Sequence, residues 1–95
     1  MLLFMVIETF RYGLDEVRRR FIEHGRMLPP GFEFIASWIS SDGMVCYQLM
    51  EGPSAETLRP WVHAWNDLVE FQIVPVRPSA EFWEAWEARD TRAPG

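Results

Sequence analysis

The sequence predicts an α+β domain of the split β-α-β type, with four antiparallel strands in the order 4-1-3-2 and two helices on one face. Three observations carry this expectation. The apolar runs read strand–helix–strand–strand–helix–strand. An Asp42-Gly43 dipeptide joins the two middle strands as a hairpin. Both helical stretches show apolar residues at spacings of three and four, bounded by residues that start and stop helices.

The first strand is residues 2–10, within "MLLFMVIETF". Alternation places Leu3, Met5 and Ile7 on one face and Leu2, Phe4 and Val6 on the other, so both faces are apolar. A strand of this kind belongs at the centre of a sheet with both faces covered. "GLDEVRRRFIEHGRM" follows as a helix whose stripe is Leu14, Val17, Phe21 and Leu28. Asp15 and Glu16 suit its first turn, His24 and Arg26 suit its end, and "PPG" at 29–31 stops it. The arginines 18–20 read as a solvated face, with Glu16 and Arg20 paired one turn apart.

"FEFIASWISSDGMVCYQLME" supplies the second and third strands. With Asp42-Gly43 as the loop, Trp38 faces Tyr47, Ala36 faces Leu49 and Phe34 faces Glu51 on one side. Ile35, Ser37, Ile39, Cys46, Gln48 and Met50 share the other. In "GPSAETLRPWVHAWNDL", Ser54 is a candidate N-cap and Leu58, Trp61, Val62, Trp65 and Leu68 form the stripe. Pro60 favours a helix that starts near residue 60 after a short preliminary turn. "VEFQIVPV" is the last strand, and Pro75 fits an edge.

Residues 1–78 therefore form the α+β domain, and residues 79–95 form a C-terminal extension. In the extension Ser79 caps a short helix carrying Phe82, Trp83 and Trp86, followed by a polar, disordered tail. That helix is either a clamp on a partner subunit or a lid over the domain's own sheet.

Ninety-five residues make one domain, and a chain of this size buries only about 60–65% of its unfolded surface. With 48% hydrophobic residues and five tryptophans, it carries more apolar surface than a small monomer hides. The two helices cover one sheet face. The expected cover for the other is a second copy, giving a homodimer with two sheets back to back.

A net charge of −5, from 14 acids against nine arginines and no lysine, argues against nucleic acid and against anionic lipid as partners. The single cysteine, Cys46, excludes an internal disulfide and a multi-cysteine metal site. The apolar start lacks the basic flank and cleavage site of a signal peptide, and no run reaches the length of a membrane span. The expectation is a cytoplasmic protein.

"MLLFMVIETF", "FIASWI" with "CYQLME", and "WVHAWNDLVEFQIVPV", in that order, resemble a small bacterial family known as domain of unknown function 3303. The resemblance covers residues 1–77 and rests most on the W-x-x-x-W-x-D-L-V-x-F run. It implies a ferredoxin-like unit similar to the dimeric α/β-barrel proteins, and it implies no established activity.

Strand directions gather Glu8, Glu70, Cys46 and the end of the second helix, with His63, Asn66 and Asp67, at one end of the sheet. Glu8, Glu70 and His63 are the candidate acid–base groups, since neighbouring carboxylates raise one another's pKa. A metal would need ligand spacings the chain lacks, so neither a metal nor a cofactor is expected. Cys46 reads as a buried thiol. Glu33, Glu51, Arg77 and the His24–Arg26 terminus lie at the opposite end and read as surface pairing. Trp38, Tyr47, Trp61 and Trp65 are the candidate lining of an aromatic pocket for a small apolar ligand. The expected function is binding of a small apolar or aromatic molecule, or association alone. The alternative is a cofactor-independent monooxygenase- or isomerase-like enzyme.

Overall fold

The structure, a computed structural model, describes residues 1–92. Its elements are β1 (Leu2–Phe10), α1 (Leu14–His24), β2 (Glu33–Ile39), β3 (Val45–Gly52), α2 (Arg59–Trp65), β4 (Val69–Val76) and α3 (Ser79–Arg92). The strands form one antiparallel sheet in the order β2-β3-β1-β4, which is the expected 4-1-3-2 read from the other edge. β1 is central, and the proline-containing β4 is an edge strand.

Alternation along β1 sorts its two apolar faces. Phe4, Val6, Glu8 and Phe10 are buried, while Leu3, Met5 and Ile7 are half-buried on the opposite, open face. The buried set continues across the sheet as Cys46, Gln48 and Met50 of β3 and Val69 of β4. Val17 and Phe21 of α1 pack there with Leu58, Trp61 and Trp65, so both helices cover this face. A 3-10 turn over Glu56–Leu58 precedes α2, and Pro60 sits in the helix's first turn as its missing N–H requires. Ser54 Oγ accepts the Thr57 N–H at 3.4 Å at the head of that turn.

Three local features depart from the sequence expectation. First, α1 ends at His24, because Gly25 adopts φ 70° and its N–H bonds the carbonyl of Phe21. Leu28 is therefore outside the helix, and Met27 at φ 60° turns the chain back toward the sheet. Second, the β2–β3 loop spans 41–44 and is closed by Ser40 N–H to the Val45 carbonyl at 2.8 Å. Ser40 Oγ and the Met44 N–H both bond Asp42 Oδ1, holding that carboxyl below its usual pKa. The pairings of Trp38 with Tyr47 and Ala36 with Leu49 stand, but a bulge between Phe34 and Ala36 sets Phe34 opposite Met50 instead of Glu51. Third, α3 runs 14 residues through Arg92, longer than the short helix expected. The end of the tail, 93–95, lies outside the described residues.

The arginine run also separates by role. Arg19 bonds Glu16 at 2.9 Å, so Glu16 pairs with Arg19 instead of Arg20. Arg20 reaches across to α2's end, bonding Asp67 through both carboxylate oxygens at 2.6 Å and the Ala64 carbonyl at 3.0 Å. A two-pronged arginine–carboxylate pair of this kind fixes orientation as well as distance.

Gly52 closes β3 under the ring of Phe32, where a Cβ would meet Phe32 ring carbons at 2.1–2.6 Å. Gly52→Ala is therefore expected to destabilise the fold by about 1–3 kcal/mol through overpacking. Urea unfolding followed by circular dichroism measures it, and an unchanged midpoint would show that Phe32 repacks freely.

Candidate functional site

A cavity of about 230 Å³ lies between the helices and the sheet. Its floor is Glu8 and Phe10 of β1, Cys46 and Gln48 of β3, and Ser37 and Ile39 of β2. Leu14, Val17, Arg18 and Phe21 of α1, Arg26, Trp61 and Trp65 complete the wall. Leu14, Ser37 and Ile39 are exposed, so the cavity opens to solvent on that side, whereas Glu8, Phe10, Cys46 and Gln48 are buried. An apolar cavity of ~150 Å³ holds benzene, so this volume has room for a single ring with a short substituent.

Two polar side chains stand on that floor. Glu8 is 9% exposed and Gln48 4%. Glu8 faces Cys46 across the β1–β3 ladder and Gln48 faces Val6, so the two are diagonal neighbours on one face. Neither Glu8 Oε2 nor Gln48 Nε2 has a hydrogen-bond partner. Orphaned polar atoms at this depth are uncommon in folded proteins and call for an explanation. The Gln48 carbonyl oxygen accepts a long bond, 3.4 Å, from Arg26 Nε. Because a guanidinium only donates, this fixes the amide with its NH₂ away from Arg26, where it is buried without a partner among the described residues.

Arg26 is the third member. The indole N–H groups of Trp61 and Trp65 both donate to its carbonyl, at 2.9 and 3.1 Å. Its guanidinium lies 3.8 Å from the Phe34 ring centroid and 5.3 Å from that of Phe21. Cation–π packing on both rings holds the charge at the cavity, and among the described residues no carboxylate forms an ion pair with it. Burial pushes the Glu8 carboxyl up to about 7, against a smaller downward pull from Arg26. Burial, helped by the Glu8 charge, pushes the Cys46 thiol up to about 11, so it stays protonated and unreactive at neutral pH.

The sequence-derived acid–base group is divided by this geometry. Glu8 is in the cavity. Glu70 pairs with Thr9 on the open face and is exposed. His63 is exposed on the outer side of α2, beside Glu56, Arg59 and Pro60, and Asp67 is engaged with Arg20. The four aromatic candidates divide likewise. Trp61 and Trp65 line the cavity, whereas Trp38 and Tyr47 pair with each other on the open face, both exposed. Strand parity explains Glu70, Trp38 and Tyr47, since one residue along a strand changes the face, while His63 lies on the side of α2 away from the buried Trp61 and Trp65. Among the described residues no group of three or more His, Cys, Asp or Glu side chains could hold a metal ion.

Arg26 and Gln48 are the site residues that the sequence reading missed. Arg26 was expected in surface pairing at the opposite end. It reaches the cavity because Gly25 ends α1 one residue before it and the bulge brings Phe34 beneath it. Gln48, a lone amide between Tyr47 and Leu49 on an otherwise buried face, was the one legible signal.

Fold and cavity together define an α+β domain with an open four-stranded sheet and a partly polar cavity under its helices. The chain belongs to the family described as Domain of unknown function (DUF3303), matched over residues 2–90. The match extends beyond the run to residue 77 and takes in most of α3. No curated protein and no solved structure matches the chain. No helix among the described residues is long and apolar enough to cross a membrane.

Glu8 also predicts how stability varies with pH. Its carboxyl ordinarily titrates near 4.5 and in the fold near 7, so between these values the folded state holds more proton than the unfolded. Stability is therefore full below about 4.5 and falls as pH rises to 7, by about 3 kcal/mol in total. Glu8→Gln removes this dependence and leaves the protein more stable than wild type at pH 8. Urea midpoints across that range test the slope, and parallel curves for the two proteins would refute the assignment.

Proposed function

We propose that this protein binds a small, mostly apolar molecule with a polar head in the cavity beneath α1 and α2. The observation that carries the reading is the pair of buried atoms without partners among the described residues, Glu8 Oε2 and Gln48 Nε2, on two residues that line a mostly apolar chamber. A half-satisfied polar network in a core is costly unless another molecule completes it. A head group with a hydrogen-bond donor for Glu8 and an acceptor for Gln48 does so, and the ring walls take the apolar remainder.

Titration with phenol, benzyl alcohol and benzamide tests this reading. Because Trp61 and Trp65 line the cavity, binding is expected to change tryptophan emission. Ligand at a hundredfold excess over Kd adds about 2.7 kcal/mol of stability. Gln48→Leu weakens binding of all three compounds. Unchanged emission and melting with every compound would end the proposal.

The open face supports a second element of the reading, association with another copy of the chain. Leu3, Met5, Ile7, Leu49, Val74 and Trp38 form its apolar surface, and Trp38 is 54% exposed. α3 does not lie over it as a lid: Phe82, Trp83 and Trp86 stack on one another and remain exposed. The chain's radius of gyration is 16.6 Å, against about 12 Å for a compact chain of this length. A two-fold dimer would bury the open faces against each other and give α3 a partner to grip. The full chain is expected at dimer mass in native mass spectrometry, and Ile7→Glu at monomer mass with its circular dichroism intact. A monomeric wild type would sink the dimer.

A further inference from the structure

We infer that the cavity enolises a small carbonyl compound bearing an acidic C–H next to the carbonyl, with Glu8 as base and the Gln48 amide holding the carbonyl oxygen. The inference rests on the binding reading above and adds a reaction to it.

The cavity holds the parts that such a proton transfer needs. Glu8 lines the chamber, and among the described residues its Oε2 is buried without a hydrogen-bond partner, so the lone pair that would take a proton is not used by the protein. Gln48 presents an unpartnered N–H donor from the neighbouring strand, one diagonal step away. A ketone seated with its oxygen on Gln48 Nε2 turns its adjacent carbon toward Glu8. Arg26 stands behind Gln48, with its guanidinium bonded to Gln48 Oε1 and held between Phe34 and Phe21. That positive charge polarises the amide and strengthens its N–H as a donor when negative charge builds on the substrate oxygen. Apart from Arg18 and Ser37 the rest of the lining is apolar, and Glu8 and Gln48 are themselves buried, so these groups act in a medium of reduced polarity.

The step balances within the site. The Glu8 carboxylate takes the proton, breaking the C–H bond and forming an O–H bond. The C–H electron pair becomes the carbon–carbon π bond, and the carbonyl π pair moves to oxygen, which Gln48 holds as the enolate. When the proton on Glu8 exchanges with solvent before it returns to the same carbon, the substrate takes up solvent hydrogen, and returning it to a conjugated carbon moves a double bond. Neither route needs an oxidant, a reductant or a second substrate.

The charged and titratable groups that face Glu8 are Cys46 from β3, Arg26 after α1 and Arg18 from α1. Burial holds the Cys46 thiol above its usual pKa, so it stays neutral through the working range and does not compete with Glu8 as the base. A base that titrates near neutrality combines a useful ionised fraction with real proton affinity. Its rate should therefore rise with pH and level off above about 7.

The test is deuterium incorporation beside the carbonyl of phenylacetone and 2-tetralone, followed by proton NMR in D₂O. The full-length wild type, Glu8→Gln, Gln48→Leu and His63→Gln are compared, with tryptophan emission recorded in the same samples. Exchange above the buffer rate is expected for wild type and for His63→Gln, whose imidazole is outside the cavity. Glu8→Gln should lose about a hundredfold or more, the scale of general-base catalysis. Gln48→Leu should lose about tenfold or more as an oxyanion donor is removed. Ketones that change the emission without faster exchange would overturn the inference and leave the binding reading standing. Ketones that leave the emission unchanged while phenol or benzamide alters it would overturn it too. Exchange that survives Glu8→Gln would assign the base elsewhere and equally refute it. Circular dichroism of Glu8→Gln in the same buffer shows whether the fold is kept, and a folded variant that still exchanges at the wild-type rate would overturn the inference.

Discussion

Two indole N–H groups converging on one backbone carbonyl hold the cavity together. Trp61 and Trp65 come from the buried face of α2, and both donate to the carbonyl of Arg26, just beyond the end of α1. Without that anchor, the turn at Gly25 and Met27 would leave Arg26 at the surface. With it, the guanidinium lies against Phe34 and Phe21 and within reach of Gln48, and the gap between helices and sheet stays open. Each buried indole also gains the hydrogen bond that its N–H requires.

The electrostatic character of the site follows from what the clamp leaves undone. Arg26 is near enough to Glu8 to lower its pKa but makes no ion pair with it among the described residues, and burial prevails. Glu8 is thus a carboxyl raised by desolvation and only partly compensated. Closing that gap with a direct ion pair would stabilise the charge and leave nothing for a ligand to complete. Asp67 shows the contrast: exposed and held by Arg20, its carboxyl stays below its usual pKa.

The two sheet faces divide the protein's work. The helix face carries the buried polar groups, and the open face is mostly apolar, with Thr9 and Gln72 among its side chains and Glu33, Glu51 and Glu70 at its margins. The proposed dimer would use the second without disturbing the first, because alternate residues of one strand serve each side. α3 adds aromatic surface outside the body of the domain, which is difficult to account for in an isolated chain.

Element order, the central position of β1, the hairpin pairing at Trp38 and Tyr47, and the start of α2 at Pro60 were all legible in the sequence, because periodicity, turn residues and proline act over a few neighbours. Glu8 as a site candidate was legible as well, being one charge within an apolar run. Its company was not. Whether a residue one position along a strand faces the helices or the open side depends on which face the helices cover, and that placed Glu70, Trp38 and Tyr47 away from the cavity. Arg26 needed the break at Gly25, the positive φ of Met27, the bulge beside Phe34 and two indoles from a helix 35 and 39 residues away in sequence. The sequence by itself determined the elements and their order, since these follow from local pattern. Only the tertiary structure decided which polar groups share the cavity, since that depends on side chains meeting across elements distant in the chain.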